Sequence, residues 1–420
     1  MRMLMALPAI CRAIVLFLLG LPALLGASLA LAHEGHDHGA AASPLAISLV
    51  FDAQGTLWRA SVKDGHVLVD SSRDNGRHFD APRVVNPDVQ KIGVDGDAKP
   101  KLAIGSAGQL YVTWTQALQK PYTGYIWFAR SVDGGKHFEP PFIVHQDRAE
   151  ITHRFDALAV TRVPGQTQDR LYVAWVDKRD LLAAQAAGQP YAGAAIYYAV
   201  SDDGGASFAA EHKLADSSCE CCRIALVTPD DGSGDAVALW RHVFEGGVRD
   251  HAIARFYTKP VALDAIKRAS FGNWQIDACP HHGPALAQGG DWGWHMAWFD
   301  GGTHNREKMP GLFYARMDGE AWVSSPAKRI GDGSKQAGHP ALISRGDAVW
   351  LAWREMEAEG SRLYLMRSDD GGRSWGQAEP MLSTAGSADY PMLLMHGNQV
   401  YLAWNTARDG LLLKSLETAP

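Results

Sequence analysis

LYVTWTQALQKPYTGYIWFARSVDGGKHF, residues 110–138, holds two apolar segments joined by a polar turn and ends in an Asp-Gly-Gly turn. Residues 110–114 alternate large and small side chains up to a tryptophan, the two-residue period of a half-buried strand. The same segment recurs five times. It reads LYVAW to Trp175, AVALW to Trp240, WHMAW to Trp298, VWLAW to Trp353 and VYLAW to Trp404. Successive tryptophans are 51 to 65 residues apart, the length of one four-stranded blade with its loops. TLWRAS, residues 56–61, is an earlier copy without the strand-ending tryptophan, and the last copy stops after three strands. The expectation is an all-β chain, a β-propeller of seven blades, with six as the alternative if the first and last copies share one. Residues 43–50 are expected to complete the last blade as its outer strand.

The turn that closes the quoted stretch recurs in phase with the tryptophan strands. SRDNGRHF (72–79), SVDGGKHF (131–138), SDDGGASF (201–208) and SDDGGRSW (368–375) share Ser-x-Asp-x-Gly-x-x-aromatic, and MDGEAW (317–322) is a worn copy. The aspartate accepts backbone N–H groups, glycine takes a positive φ, and the aromatic tucks under the blade. These turns resemble the Asp boxes of the sialidase-like propeller superfamily, over nearly the whole chain after residue 42. The resemblance implies that Asp74, Asp133, Asp203 and Asp370 are structural and lie away from the active face. It also implies arginines that grip a substrate carboxylate, a tyrosine nucleophile and a carboxylic acid. The first blade offers only APRVVNP around Arg83, after its Asp box, where that superfamily places an inner-strand arginine. Arg241, Arg249, Asp250, Arg354 and Tyr390 are the matching candidates for an exo-sialidase type of glycoside hydrolase.

Residues 1–32 carry Arg2, Arg12, a long apolar run and no acid, which reads as a secretory signal cleaved before His33. A periplasmic or secreted location follows, and four of the five cysteines remain. Loss of Arg2 and Arg12 moves the formal charge of −6 two units further negative, and no basic run appears. Nucleic acid and anionic membrane are therefore excluded as expected partners. Residues 33–42 read as a flexible tail and residues 43–420 as one propeller domain.

The remaining chemistry lies in cysteine and histidine. SSCECCRIAL (217–226) holds Cys219, Cys221 and Cys222, and DACPHHGPAL (277–286) holds Cys279, His281 and His282. The two segments belong to consecutive repeats and begin inner strands, in phase with Lys99, His153, His339 and Tyr390 at one mouth. Three readings stand: structural disulfides, a Cys/His metal site, or a redox switch. A tail beginning HEGHDHG adds His33, His36 and His38 as possible metal ligands. The leading expectation is copper handling at the mouth, with zinc as the second metal. The alternatives are sialidase-type hydrolysis of a small anionic or glycan ligand, and a scaffold for a periplasmic protein partner.

Overall fold

Each tryptophan-ended segment lies second in an antiparallel sheet of a computed structural model that describes residues 45–416, apart from 95–96, 258–264, 277–279, 291, 305–306 and 309. The expected signal and tail fall outside these residues. Six sheets have four main strands and the seventh has three. The blades begin at Ser48–Phe51, Lys101–Ile104, His153–Arg162, Ala225–Val227, Ala285–Gln288, Gly338–Arg345 and Met392–His396. Each of these first strands contacts the first strand of the next blade, and the seventh contacts the first. The ring is therefore a closed seven-bladed propeller with the first strands around its axis.

The expectation for residues 43–50 is corrected. Ser48–Phe51 pairs with Leu57–Ala60 as the innermost strand of blade one, not as an outer strand of blade seven. The six-blade alternative falls with it, because the first and last copies form separate sheets. Closure is by side chains: Ile47, Leu49 and Leu57 of blade one pack with Leu394 and Ala403 of blade seven. Among the described residues no strand crosses the seam. Apolar burial of roughly 1.5–3 kcal/mol per large side chain, with hydrogen bonds from the Ile47 N–H to Asp389 and from the Asn405 amide to the Leu45 carbonyl, holds it shut.

Trp114, Trp175, Trp240, Trp298, Trp353 and Trp404 are all buried between blades. A buried indole N–H usually finds a partner; Trp298 departs from this, its Nε1 having none among the described residues. Trp175 and Trp353 donate to the acid two residues on, Asp177 and Glu355, each at 2.9 Å. Trp404 donates to the Asp389 carbonyl at 2.8 Å, which fixes the strand start that carries Tyr390.

The four complete Asp boxes have one geometry. In each the serine hydroxyl donates to the aspartate at 2.7–2.8 Å and accepts the N–H of the box glycine at 2.8–2.9 Å. The aspartate also accepts the N–H of the residue four positions on. These bonds consume the carboxylate, in keeping with a structural role. Gly135 has φ 76° and sits where a Cβ would lie 2.6 Å from the Trp58 ring, whereas Gly134, at φ 71°, faces open space. Gly134→Ala is expected to cost about 1 kcal/mol from backbone strain alone. Gly135→Ala should cost at least about 2 kcal/mol, because overlap adds to strain. Urea unfolding of both variants checks this; equal losses would remove the packing role of the box glycine.

Candidate active site at the propeller mouth

The starts of five inner strands meet at one end of the axis. Arg223, two residues before the inner strand of blade four, reaches across the ring. Its guanidinium pairs with Asp97 of blade two at 2.9 Å and donates to the carbonyls of Pro284 at 3.0 Å and Pro340 at 2.8 Å. Asp97 also accepts the Gly283 N–H at 3.1 Å. One ion pair thus ties blades two, four, five and six. A Cβ on Gly283 would lie 2.0 Å from Arg223 Cγ, so only glycine permits this approach. Lys99 pairs with Asp389 of blade seven at 2.9 Å. Lys101 donates to the carbonyls of Asp97 and Lys99, and burial lowers its pKa.

Above this tie runs a ladder of rings. Phe299 stacks on His282 with centroids 4.2 Å apart, His282 lies 4.3 Å from His339, and His339 stacks on Tyr390 at 3.7 Å and 10°. The Arg354 guanidinium sits 5.1 Å over the Tyr390 ring. His339 has φ 53°, a positive value uncommon outside glycine, so the surroundings hold it in place against local strain. Burial pushes the His282 pKa down to about 4, with the Arg241 charge adding to the effect, and pushes His339 well below its ordinary range. Burial raises Tyr390 to about 12. Near neutral pH the ladder therefore offers two neutral imidazoles and a neutral phenol.

Among the described residues, the carboxylates at the mouth are already committed. Asp97 holds Arg223, Asp389 holds Lys99, and Asp156 accepts the hydroxyls of Thr113 and Thr115 at 2.6 and 3.0 Å. Arg354 is different: no carboxylate lies within ion-pair distance of it among the described residues. Burial lowers its pKa, the mark of a cation short of counter-charge.

Of the hydrolase candidates, Arg354 and Tyr390 come together and the others lie apart from them. Arg241 is 1% exposed and donates to the carbonyls of Arg249, His282 and Phe299. Arg249 contributes that carbonyl, and its own N–H bonds to Trp274. Asp250 is fully buried in a network with Arg268, Ser270 and Asn273. His153 stacks on His145 at 3.9 Å between blades two and three. Arg223 and Asp389 escaped sequence reasoning, although Arg223 sits beside the conspicuous cysteine pair.

Three of the metal candidates converge. The sulfurs of Cys219, Cys221 and Cys222 lie within 4.8 Å of one another and are buried. His282 is not in that group, since its ring belongs to the ladder; His281 is exposed with φ 51°. Cys279, His33, His36 and His38 lie outside the described residues.

No family model matches the sequence, and no curated protein matches it. Solved structures do. A polysaccharide lyase of the ulvan lyase type, bound to a glucuronate–sulfated rhamnose saccharide, is 12% identical with a TM-score of 0.54, covering 88% of this chain and 92% of that one. A Penicillium chrysogenum α-L-arabinanase complexed with arabinobiose is 13% identical with a TM-score of 0.51, over 76% and 93%. A Hadza microbial sialidase is 14% identical with a TM-score of 0.46, over 84% and 74%. At these identities the likeness is one of fold alone, a β-propeller.

The buried histidines set an acid limit. His145 is pushed down to about 2, His295 to about 3, and His242 and His282 to about 4, in each case chiefly by burial. The folded state binds their protons less readily than the unfolded state does. Their contribution to stability is full above the unfolded pKa of about 6.5 and is lost as pH falls toward the folded values. Carboxylates with lowered pKa act only below about pH 4. The urea midpoint is therefore expected to hold from pH 8 to 7 and to drop between pH 6.5 and 5. A midpoint unchanged down to pH 5 would contradict neutral burial of these rings.

Proposed function

We propose that the mouth binds an acidic saccharide and that Tyr390 and His339 move protons on it. The observation that carries this reading is Arg354, a half-buried guanidinium without a carboxylate among the described residues, over the ring of a tyrosine stacked on a neutral histidine. An arginine fork matches a planar carboxylate, and the ring ladder offers apolar faces to a sugar. The polysaccharide lyase and arabinanase of the same fold act as support by analogy of architecture only.

Between the two ways of breaking a glycosidic bond, the mouth favours elimination. Most glycoside hydrolysis uses two carboxyl groups facing the bond, and the sialidase type uses a tyrosine nucleophile with one carboxylic acid, so either needs a carboxyl free to act. Here Asp97, Asp156 and Asp389 are engaged by protein donors. Elimination needs other groups: a cation on the uronate carboxylate, a neutral base for the adjacent C–H, and an acid for the departing oxygen. Arg354 supplies the first, His339 the second and Tyr390 the third. In this step the C5–H bond breaks toward imidazole and its electrons form a C4–C5 double bond. The C4–O bond then breaks, and its oxygen takes the phenol proton. The bound carboxylate offsets the burial that depresses His339 and makes it a better base.

Incubation with uronate-containing polysaccharides, reading both reducing ends and ultraviolet-absorbing unsaturated uronate, tests this. Both signals are expected to rise together, and Tyr390→Phe should lower kcat by about 100-fold or more at an unchanged melting temperature. Reducing ends without the ultraviolet signal would mean hydrolysis. Undiminished turnover by Tyr390→Phe would remove the proposed acid.

A further inference from the structure

Arg241 is a second arginine without an acid. It is 1% exposed and donates only to main-chain carbonyls; its Nε is buried without a partner, and no carboxylate lies within ion-pair distance among the described residues. A buried cation needs counter-charge, because isolated burial costs several kcal/mol. The 219–222 loop, tied to Arg241 through the main chain, carries three thiols that can supply it as thiolates. The Cys219 N–H bonds to the Arg241 carbonyl at 2.9 Å.

The loop is held in place before any ligand arrives. Glu220 pairs with Lys178, and Arg223 is fixed by three partners in the mouth. The thiols are 3%, 6% and 3% exposed within an apolar cluster that includes Ala98, Phe155 and Ile224. The sulfur of Cys219 lies 3.7 Å from that of Cys221 and 3.6 Å from that of Cys222. A metal–sulfur bond of about 2.3 Å gives an edge of about 3.8 Å in a tetrahedron and about 4.0 Å in a triangle. The three sulfurs therefore lie within a few tenths of an ångström of coordination spacing on two of their edges. A bridge between adjacent Cys221 and Cys222 is disfavoured, since neighbouring Cα atoms about 3.8 Å apart fall short of the usual disulfide span.

We propose that Cys219, Cys221 and Cys222 form a thiolate site for a soft metal ion, with monovalent copper the best match, and that Arg241 is its counter-charge. An all-sulfur donor set in apolar surroundings selects thiophilic ions over hard ones. Binding displaces the protons of thiols still protonated, so affinity rises with pH. The proposed ligands are not among the groups assigned to the saccharide, although Arg241 also donates to the His282 carbonyl of the ring ladder, and the proposal does not rest on that reading.

The test uses the full chain, reduced and handled without oxygen, titrated with Cu(I) against a chromophoric competitor and, separately, with Zn(II). One Cu(I) per chain is expected. X-ray absorption on the loaded wild-type protein should show sulfur ligands at about 2.3 Å. Cys219→Ser and Cys222→Ser should weaken Cu(I) by more than about 100-fold, beyond the usual effect of a lost outer-shell contact. Nitrogen ligands alone would place the metal on histidines elsewhere and overturn the proposal. So would Zn(II) held more tightly than Cu(I), or a disulfide from Cys219, Cys221 or Cys222, to one another or to Cys279, that persists under mild reduction. Because the absorption measurement needs no variant, a variant that fails to fold leaves the proposal open to refutation.

Discussion

The pair between Arg223 and Asp97 holds the functional end of this protein together. A propeller has strong contacts within each blade and between neighbours, but few across its axis. Arg223 makes such a contact, joining blade four to blade two and to the strand starts of blades five and six. The bonds are charge-assisted and half-buried, the setting in which an arginine fork is most effective. With Asp97 and the Pro284 and Pro340 carbonyls fixed, His282 and His339 are brought to stacking distance. The same arginine anchors the C-terminal end of the cysteine loop. One ion pair thus positions both the ring ladder and the thiols beneath it.

Two arginines without acids then define two different environments. Arg241 and Arg354 occupy equivalent places, each directly after a buried strand tryptophan. In blade four the side chain is enclosed by carbonyls of its own blade and the next, and its own carbonyl accepts the Cys219 N–H. In blade six it lies half-buried over Tyr390 at the mouth. One is suited to an internal anion and the other to an arriving one.

Blade count, strand order and Asp-box turns were legible because they are local and repeated. A two-residue period, a tryptophan every 51 to 65 residues and an in-phase octapeptide each register the same unit. The mouth was legible in part. Aligning strand starts brought Lys99, His282, His339 and Tyr390 to one end, and they do meet there. It also brought in His153, whose ring turns instead to His145 between blades. Asp250 resembled a site acid beside Arg249, but burial and Arg268 make it part of a structural network. Arg223 was not singled out because its partner lies 126 residues away, a pairing that only ring closure reveals. The innermost strand of blade one was misplaced for a similar reason. An apolar segment at the chain start can join either end of the ring, and side-chain packing at the seam decided it.

The central claim is that Arg354 stands open for a carboxylate at the mouth. Its most direct measurement is a crystal structure of the chain soaked with an unbranched oligouronate. The account expects a uronate carboxylate on the Arg354 fork, with the sugar ring against the His339–Tyr390 stack and the Arg223–Asp97 pair intact. A saccharide bound on the Asp-box face, or Arg354 turned away to pair with Asp389 while the mouth stays unliganded, would contradict it.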